Sequence, residues 1–406
     1  MYVSYPIPRY VYLLGLTIFC MITAEFMVAG MMPALATALG VSLGQVGNLI
    51  ALYALGMALG GPVMTTATLA LGWSNRRALL WMLGLYVVTG AVAALATDYT
   101  VMALGRIGMG VASAAAIGAS ISLGAEQVPA NLRGRAASLV LGGLMLSPVL
   151  GVPATAWIAQ QVDWRVSFWA VVVWAIVCAV CIVKWVPAAC HQGRVSLVDE
   201  WRAMSNRHLW AAYLTSGLII GSVFAAVSYA LPIFTGLTGL NEALVPALLA
   251  LYGVGNVIGN IVVGRWADRH TLAVLAWGTA LMVAALGVFA WGGQHASVAI
   301  PAFLLLGLTG VALNPAMAAR VMRAARPSAL VNTMHTSAIT GGLAFGAWAG
   351  GLGIDVGQNL TAPLWLGAAM AALAGASLVP VMLRARRASG AACMAQDAGE
   401  ASVGTL

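Results

Sequence analysis

Residues 22–33, "ITAEFMVAGMMP", contain one ionisable side chain, Glu25. From Val11 to Leu35 there is no other charge, and an apolar run of that length can cross a bilayer. An acid at the centre of a membrane helix costs ~2.5–3.5 kcal/mol on insertion scales. A proton, an arginine partner or a wet cavity would relieve that cost. Burial disfavours the charged form of a lone carboxylate. Glu25 is therefore suited to gain and lose a proton as water or a cationic solute comes and goes. Arg106 is the other ionisable group well inside an apolar segment, about 9 Å along a helix from Thr100. The pair reads as a proton-coupling unit, Glu25 carrying the proton and Arg106 modulating it. The competing reading is packing, with Arg106 a hydrogen-bond anchor for the ends of neighbouring helices.

Weaker candidates are Tyr229, Asn256 and Asn314, uncharged polar groups within apolar segments. Each can line a substrate path or bond a neighbouring helix, a contact worth ~0.6–2 kcal/mol. His335 is a further titratable group near the end of its segment. Cys178 and Cys181 form a C-x-x-C inside an apolar helix, where packing is the plainer reading than redox chemistry. No metal-ligand spacing and no P-loop pattern occur, so neither a cofactor nor direct ATP drive is expected.

The elements that must position these residues follow from composition. The 406 residues are 62% hydrophobic and 7% charged, with mean hydropathy +0.94. A soluble domain carries roughly 25% charged residues, so the chain reads as an all-α integral membrane protein. Twelve apolar segments stand out, at 10–35, 45–70, 78–96, 100–123, 136–160, 166–186, 209–237, 243–264, 271–291, 298–320, 329–354 and 361–383. The small-residue string "PALA" at 33–36 is read as part of the first span, not as a signal-cleavage site. With an even number of spans, both chain ends share one face. Of the nineteen Lys and Arg, all but Arg106 and Arg165 fall on that face or at the adjoining span ends. This bias places both termini in the cytoplasm. It also accounts for the net charge of +8 by contact with anionic lipid headgroups instead of nucleic acid.

Residues 187–208, containing "RVSLVDEWRAMSNRH", separate six segments from six and read as a cytoplasmic linker. The halves are then 1–186 and 209–385, with 386–406 a disordered tail. The halves repeat each other. Tyr53-x-x-Gly56-x-x-x-Gly60 recurs as Tyr252-x-x-Gly255-x-x-x-Gly259, Pro33 as Pro232, and Gly110-Val111-Ala112 as Gly310-Val311-Ala312. Two six-span halves related by a parallel repeat are a transporter architecture with the substrate between them.

Four stretches carry a family resemblance: "TAEF" with "GMMP", "GRIGMG" (105–110), "GLMLSPVLGVP" (143–153) and "GNIVVGRWADRH" (259–270). With these, residues 10–385 resemble the major facilitator superfamily, in particular its twelve-span drug:proton antiporter branch. The resemblance implies two six-helix bundles, alternating access, and proton-coupled efflux of a small, at least partly apolar molecule by a functional monomer in the bacterial inner membrane. It makes Gly143, Pro148 and Gly151 an antiporter motif, and Gly264, Arg265, Asp268 and Arg269 a cytoplasmic gate. Two departures stand out. Ser147 occupies a position where glycine is usual, and Leu69 stands where the repeat of Asp268 would be an acid. The same fold hosts importers and uniporters, so direction rests on the resemblance. A membrane-embedded enzyme would need paired acids, a nucleophile–base pair or metal ligands at one depth. A channel would usually show rings of charge in an oligomer.

The basic-residue bias makes a prediction. In a cysteine-free background, a cysteine at position 195 should escape an impermeant thiol reagent added from outside, and one at 240 should react. The reverse pattern would invert the topology.

Overall fold

The computed structural model describes residues 8–129, 132–187, 206–324, 329–357 and 359–403, excluding the side chains of 69, 268, 329 and 384–403. Most of the expected linker, 188–205, lies outside the described residues. Among those described there is no strand, and twelve helices are long and apolar enough to cross a membrane. Spans 1–6 are Arg9–Gly30, Leu43–Thr68, Asn75–Ala94, Tyr99–Glu126, Arg133–Gln161 and Trp164–Trp185. Spans 7–12 are Arg207–Val227, Glu242–Ala267, Arg269–Gly292, Ala296–Ala324, Leu330–Gly357 and Ala362–Leu383. The face bearing the chain ends is here the near face, and its opposite the far face. The last helix continues to Val403, over residues for which the sequence suggests a disordered tail. Alanine-rich sequence there favours helix.

The capping residues sit where the turns need them. Ser74, Asp98, Asp163, Asn206 and Asn241 each accept a backbone N–H at a helix start, satisfying donors that have no partner inside the helix.

Three spans are broken. Span 1 is α-helical only to Phe26, tightens into a 3-10 turn over Met27–Gly30, and is followed by a separate helix, Met32–Leu39, with Pro33 in its first turn. Glu25 thus stands at the end of an α-helix, and the uninterrupted segment over 10–35 expected from hydropathy is corrected. Span 5 widens into a π-turn at Ser147–Gly151, next to Pro148, whose ring removes a donor and crowds the preceding turn. Span 10 breaks at Gly310 and restarts as a helix at Asn314.

The sequence repeat is a repeat of contacts. Gly56 and Gly60 of span 2 lie against Ile107 and Val111 of span 4. Gly255 and Gly259 of span 8 lie against Gly307, Leu308 and Ala312 of span 10. A side chain on Gly110 would run into the Tyr53 carbonyl. Bare glycine surfaces let these helix backbones approach closely, which matters in a bilayer because apolar burial does not drive helices together there.

The two halves meet along the far face. The Ser42 hydroxyl and the Gly44 N–H of span 2 donate to Asp355 of span 11, at 2.8 and 3.3 Å. Ser42 and Gln45 bond each other's backbone N–H groups, a capping box, so the Asp355 carboxylate sits at a helix N-terminus, where a negative charge is favoured. Gln160 donates to the Glu242 carbonyl at 3.2 Å. Phe26 stacks on Phe224 with ring centres 4.8 Å apart, and Pro148 abuts Gly253.

The glycine contacts make a second prediction. Gly110→Val should destabilise the folded protein by about 1–3 kcal/mol, the usual cost of overpacking. Gly118→Ala, in open space on the same helix, should be neutral. Thermal melts of the detergent-solubilised variants read the difference.

Candidate functional site

The break in span 1 is held from three sides. The Arg106 side chain is completely buried and gives all of its identified hydrogen bonds to the main chain. Nη1 donates to the Ala24 carbonyl at 2.6 Å, Nη2 to the Glu25 carbonyl at 3.0 Å and Nε to the Leu49 carbonyl at 3.2 Å. Ala24 and Glu25 lie where the α-helix tightens, so their carbonyls need an outside donor. The guanidinium also lies 4.3 Å from the centre of the Tyr53 ring, a cation–π contact in a dry setting. The Tyr53 hydroxyl donates to the Met21 carbonyl at 2.9 Å and pairs with Ser113 Oγ at 2.5 Å. On the opposite side Thr23 Oγ1 meets Ser147 Oγ at 3.1 Å, and Gly151 leaves the space that Thr23 fills. The serine that departs from the antiporter motif thus ties the π-turn of span 5 to span 1.

Glu25 is 3% exposed. Among the described residues its carboxylate has no hydrogen bond or ion pair, while the carbonyl of the same residue takes Arg106 Nη2. Arg106 is placed as the anchor of the span 1 break, with its donors on the backbone. It still contributes a positive charge close to Glu25.

Gly143 lies directly against the Gly15 backbone of span 1, and Pro148 against Gly253 of span 8. The motif residues therefore face both span 1 and the other half. At the end of span 8, Arg265 and Arg269 are exposed and Gly264 has open space around it. The Asp268 side chain lies outside the described residues, and the latch expected of it with them.

Tyr229 is fully buried at the far-face seam. Its hydroxyl donates to the Ala347 carbonyl at 2.6 Å, and its ring lies against Gly47 and Gly351. These contacts are helix packing between the halves. Asn256 is buried, and its Oδ1, like Tyr252 Oη one turn away, is short of hydrogen-bond geometry with any described group. Asn314 opens the restarted helix of span 10. His335 pairs through Nε2 with Ser216 Oγ at 3.0 Å and stacks on Tyr213. Arg320, which the charge bias would put at the near-face surface, is 8% exposed inside span 10.

Tyr53, Ser113 and Thr23 were not legible as site residues. Tyr53 stood out only as a repeat position, and nothing in its spacing shows that its ring carries Arg106.

The sequence pattern of the Major Facilitator Superfamily matches residues 14–341. The chain belongs to the Major Facilitator Superfamily. A chloramphenicol resistance protein of Streptomyces lividans is 30% identical over 374 residues, 91% of this chain and 94% of that protein. The inner membrane transport protein YdhP of Escherichia coli is 29% identical over 376 residues, 92% and 95% of the two chains. In fold, the transporter is similar to a bacterial homologue of the human lysosomal transporter Spinster, in an inward-facing and occupied conformation, with TM-score 0.72 at 14% identity over 93% and 97% of the two chains. It is a multi-pass membrane transporter and not an enzyme.

The Arg106 geometry makes a third prediction. A bond to a charged group is worth about 1.5–3 kcal/mol. Arg106→Lys keeps the charge but loses the forked geometry, and should lower the thermal midpoint more than Ser113→Ala, which removes one neutral bond worth roughly 1 kcal/mol. Equal, small shifts would mean that the span 1 break holds without the clamp.

Proposed function

We propose that this transporter is a proton-coupled antiporter that exports a small, at least partly apolar molecule across the bacterial inner membrane, with both termini in the cytoplasm and the monomer as working unit. One observation carries the proton coupling: Glu25 is a buried carboxylate at the end of the α-helix of span 1, with the charge of Arg106 as the electrostatic influence on it. The export direction draws on the resistance protein, similar over nearly its whole length, and on the "GLMLSPVLGVP" stretch.

In this scheme residues 1–186 and 209–385 are the two moving halves, and 187–208 links them. A protonated Glu25 carries no charge, so the halves can rock past the occluded state without a buried anion. When the near face opens, water and substrate reach the acid, which releases its proton to the cytoplasm as a cationic substrate binds. When the far face opens, the substrate leaves and the acid takes up a proton. Arg106 holds the span 1 break in place through that cycle, so the acid returns to one position. Its charge lowers the cost of the carboxylate form. Gly143, Pro148 and Gly151 let span 5 move against span 1. Gly264, Arg265, Asp268 and Arg269 form the near-face gate, and Asn256 and Asn314 line the second half of the substrate path.

The test is uphill transport. Proteoliposomes under an imposed pH gradient should concentrate a fluorescent apolar cation with wild-type protein. They should fail to do so with Glu25→Gln, which keeps the shape of the protonated acid and so keeps the fold. Arg106→Ala should reduce uphill transport less completely. Undiminished uphill transport by Glu25→Gln would make Glu25 a packing residue. Proton uptake with substrate, instead of proton release, would make the protein a symporter.

A further inference from the structure

A groove of about 710 Å³ runs between spans 1 and 6 at the depth of the hydrocarbon. Span 1 contributes Leu13 and Leu16, and span 6 contributes a wall from Val166 to Trp185 that includes Trp169, Val173 and Trp174. Val166 to Trp185 rises roughly 28 Å along the helix, long enough for a full acyl chain. The floor is fixed: Trp174 Nε1 donates to the Leu16 carbonyl at 3.3 Å, and the Trp174 ring packs on Phe19.

The near end of the groove is cationic. Lys184 is exposed and continues the stripe Val177–Cys181 of the wall at helical spacing. Arg9, also exposed, lies one turn before Leu13. Arg76 reaches the same end from the first turn of span 3, its Nη2 donating to the Val183 carbonyl at 2.9 Å. Arg76 Nε is buried and has no hydrogen-bond partner among the described residues. Among the described residues no acid pairs with Arg76 or Lys184. An apolar slot that ends in unpaired cations at headgroup depth matches the two ends of one molecule.

We propose that this groove is a binding site for one anionic phospholipid of the near leaflet, with an acyl chain along Val173 and Trp174 and the phosphate at Arg76 and Lys184. The chain lies in the apolar groove, and the phosphate supplies the counter-charge that no described acid gives Arg76 and Lys184.

The experiment uses the full-length protein in phosphatidylcholine nanodiscs containing phosphatidylglycerol with a photoactivatable diazirine at the end of one acyl chain. Label should collect on the peptides bearing Leu13–Leu16 and Trp169–Trp185. Unlabelled phosphatidylglycerol should displace it about thirtyfold better than phosphatidylcholine, the preference expected for two headgroup cations at about 1 kcal/mol each. The double variant Arg76→Gln/Lys184→Gln should bring the two competitors to parity. Val173→Trp should remove label from the groove while the protein stays monodisperse. Label spread evenly over all lipid-facing spans would reduce the groove to ordinary bilayer contact and overturn the proposal. So would a headgroup preference that survives the double variant. Loss of groove label with crosslinks between chains at higher protein density would assign the surface to a second copy and likewise overturn it.

Discussion

In hydrocarbon a carbonyl released from a helix has no water to turn to. At the break of span 1 the carbonyls of Ala24 and Glu25 turn instead to one guanidinium, which also holds Leu49 of span 2. The 3-10 turn at Met27–Gly30 is sustainable because Arg106 satisfies the carbonyls behind it. Tyr53 keeps the guanidinium in place by offering its ring face, and Ser113 and the Met21 carbonyl hold the Tyr53 hydroxyl. Spans 1, 2 and 4 are thereby tied at one depth, and Glu25 is left on the tied segment with its carboxylate uncommitted. A charged residue deep in a bilayer thus does structural work through main-chain bonds and electrostatic work through its field.

The two halves share a skeleton and differ in chemistry. Glycines at equivalent positions bring span 2 against span 4 and span 8 against span 10. Among the described residues the Arg106 clamp belongs to the first half. At the repeat positions of Arg106 and Ser113 stand Leu306 and Leu313, both buried. Tyr252, the counterpart of Tyr53, stacks on Phe303 with its hydroxyl beside Asn256. At these positions the same close-packed scaffold carries a charged clamp in one half and leucines in the other.

The far-face seam follows a different rule. It is made of small contacts: a serine and a backbone N–H on Asp355, a tyrosine seated on two glycines, a proline against a glycine. None is a buried ion pair, and each is lost at modest cost when the surfaces part. Contacts of this kind part more cheaply than a deeply buried charge pair, which would be expensive to separate.

Composition and periodicity alone determined the twelve spans, the charge bias between the faces and the internal repeat, because hydrocarbon forces the backbone into helices and each helix must be long and apolar. Glu25 and Arg106 were legible for the same reason, since charge in such a segment is rare and conspicuous. What those charges bind was not legible. Sequence proximity says nothing of whether an arginine meets a carboxylate or a carbonyl, and only the crossing of spans 1, 2 and 4 set Arg106 on the backbone. Tyr53 and Ser113 looked like ordinary residues of apolar helices, and Asp355 like a surface acid, until tertiary packing brought them to partners at separations of 32, 60 and 313 residues. Local periodicity reports which face of a helix is apolar. The partner across that face is chosen by the packing of the whole bundle.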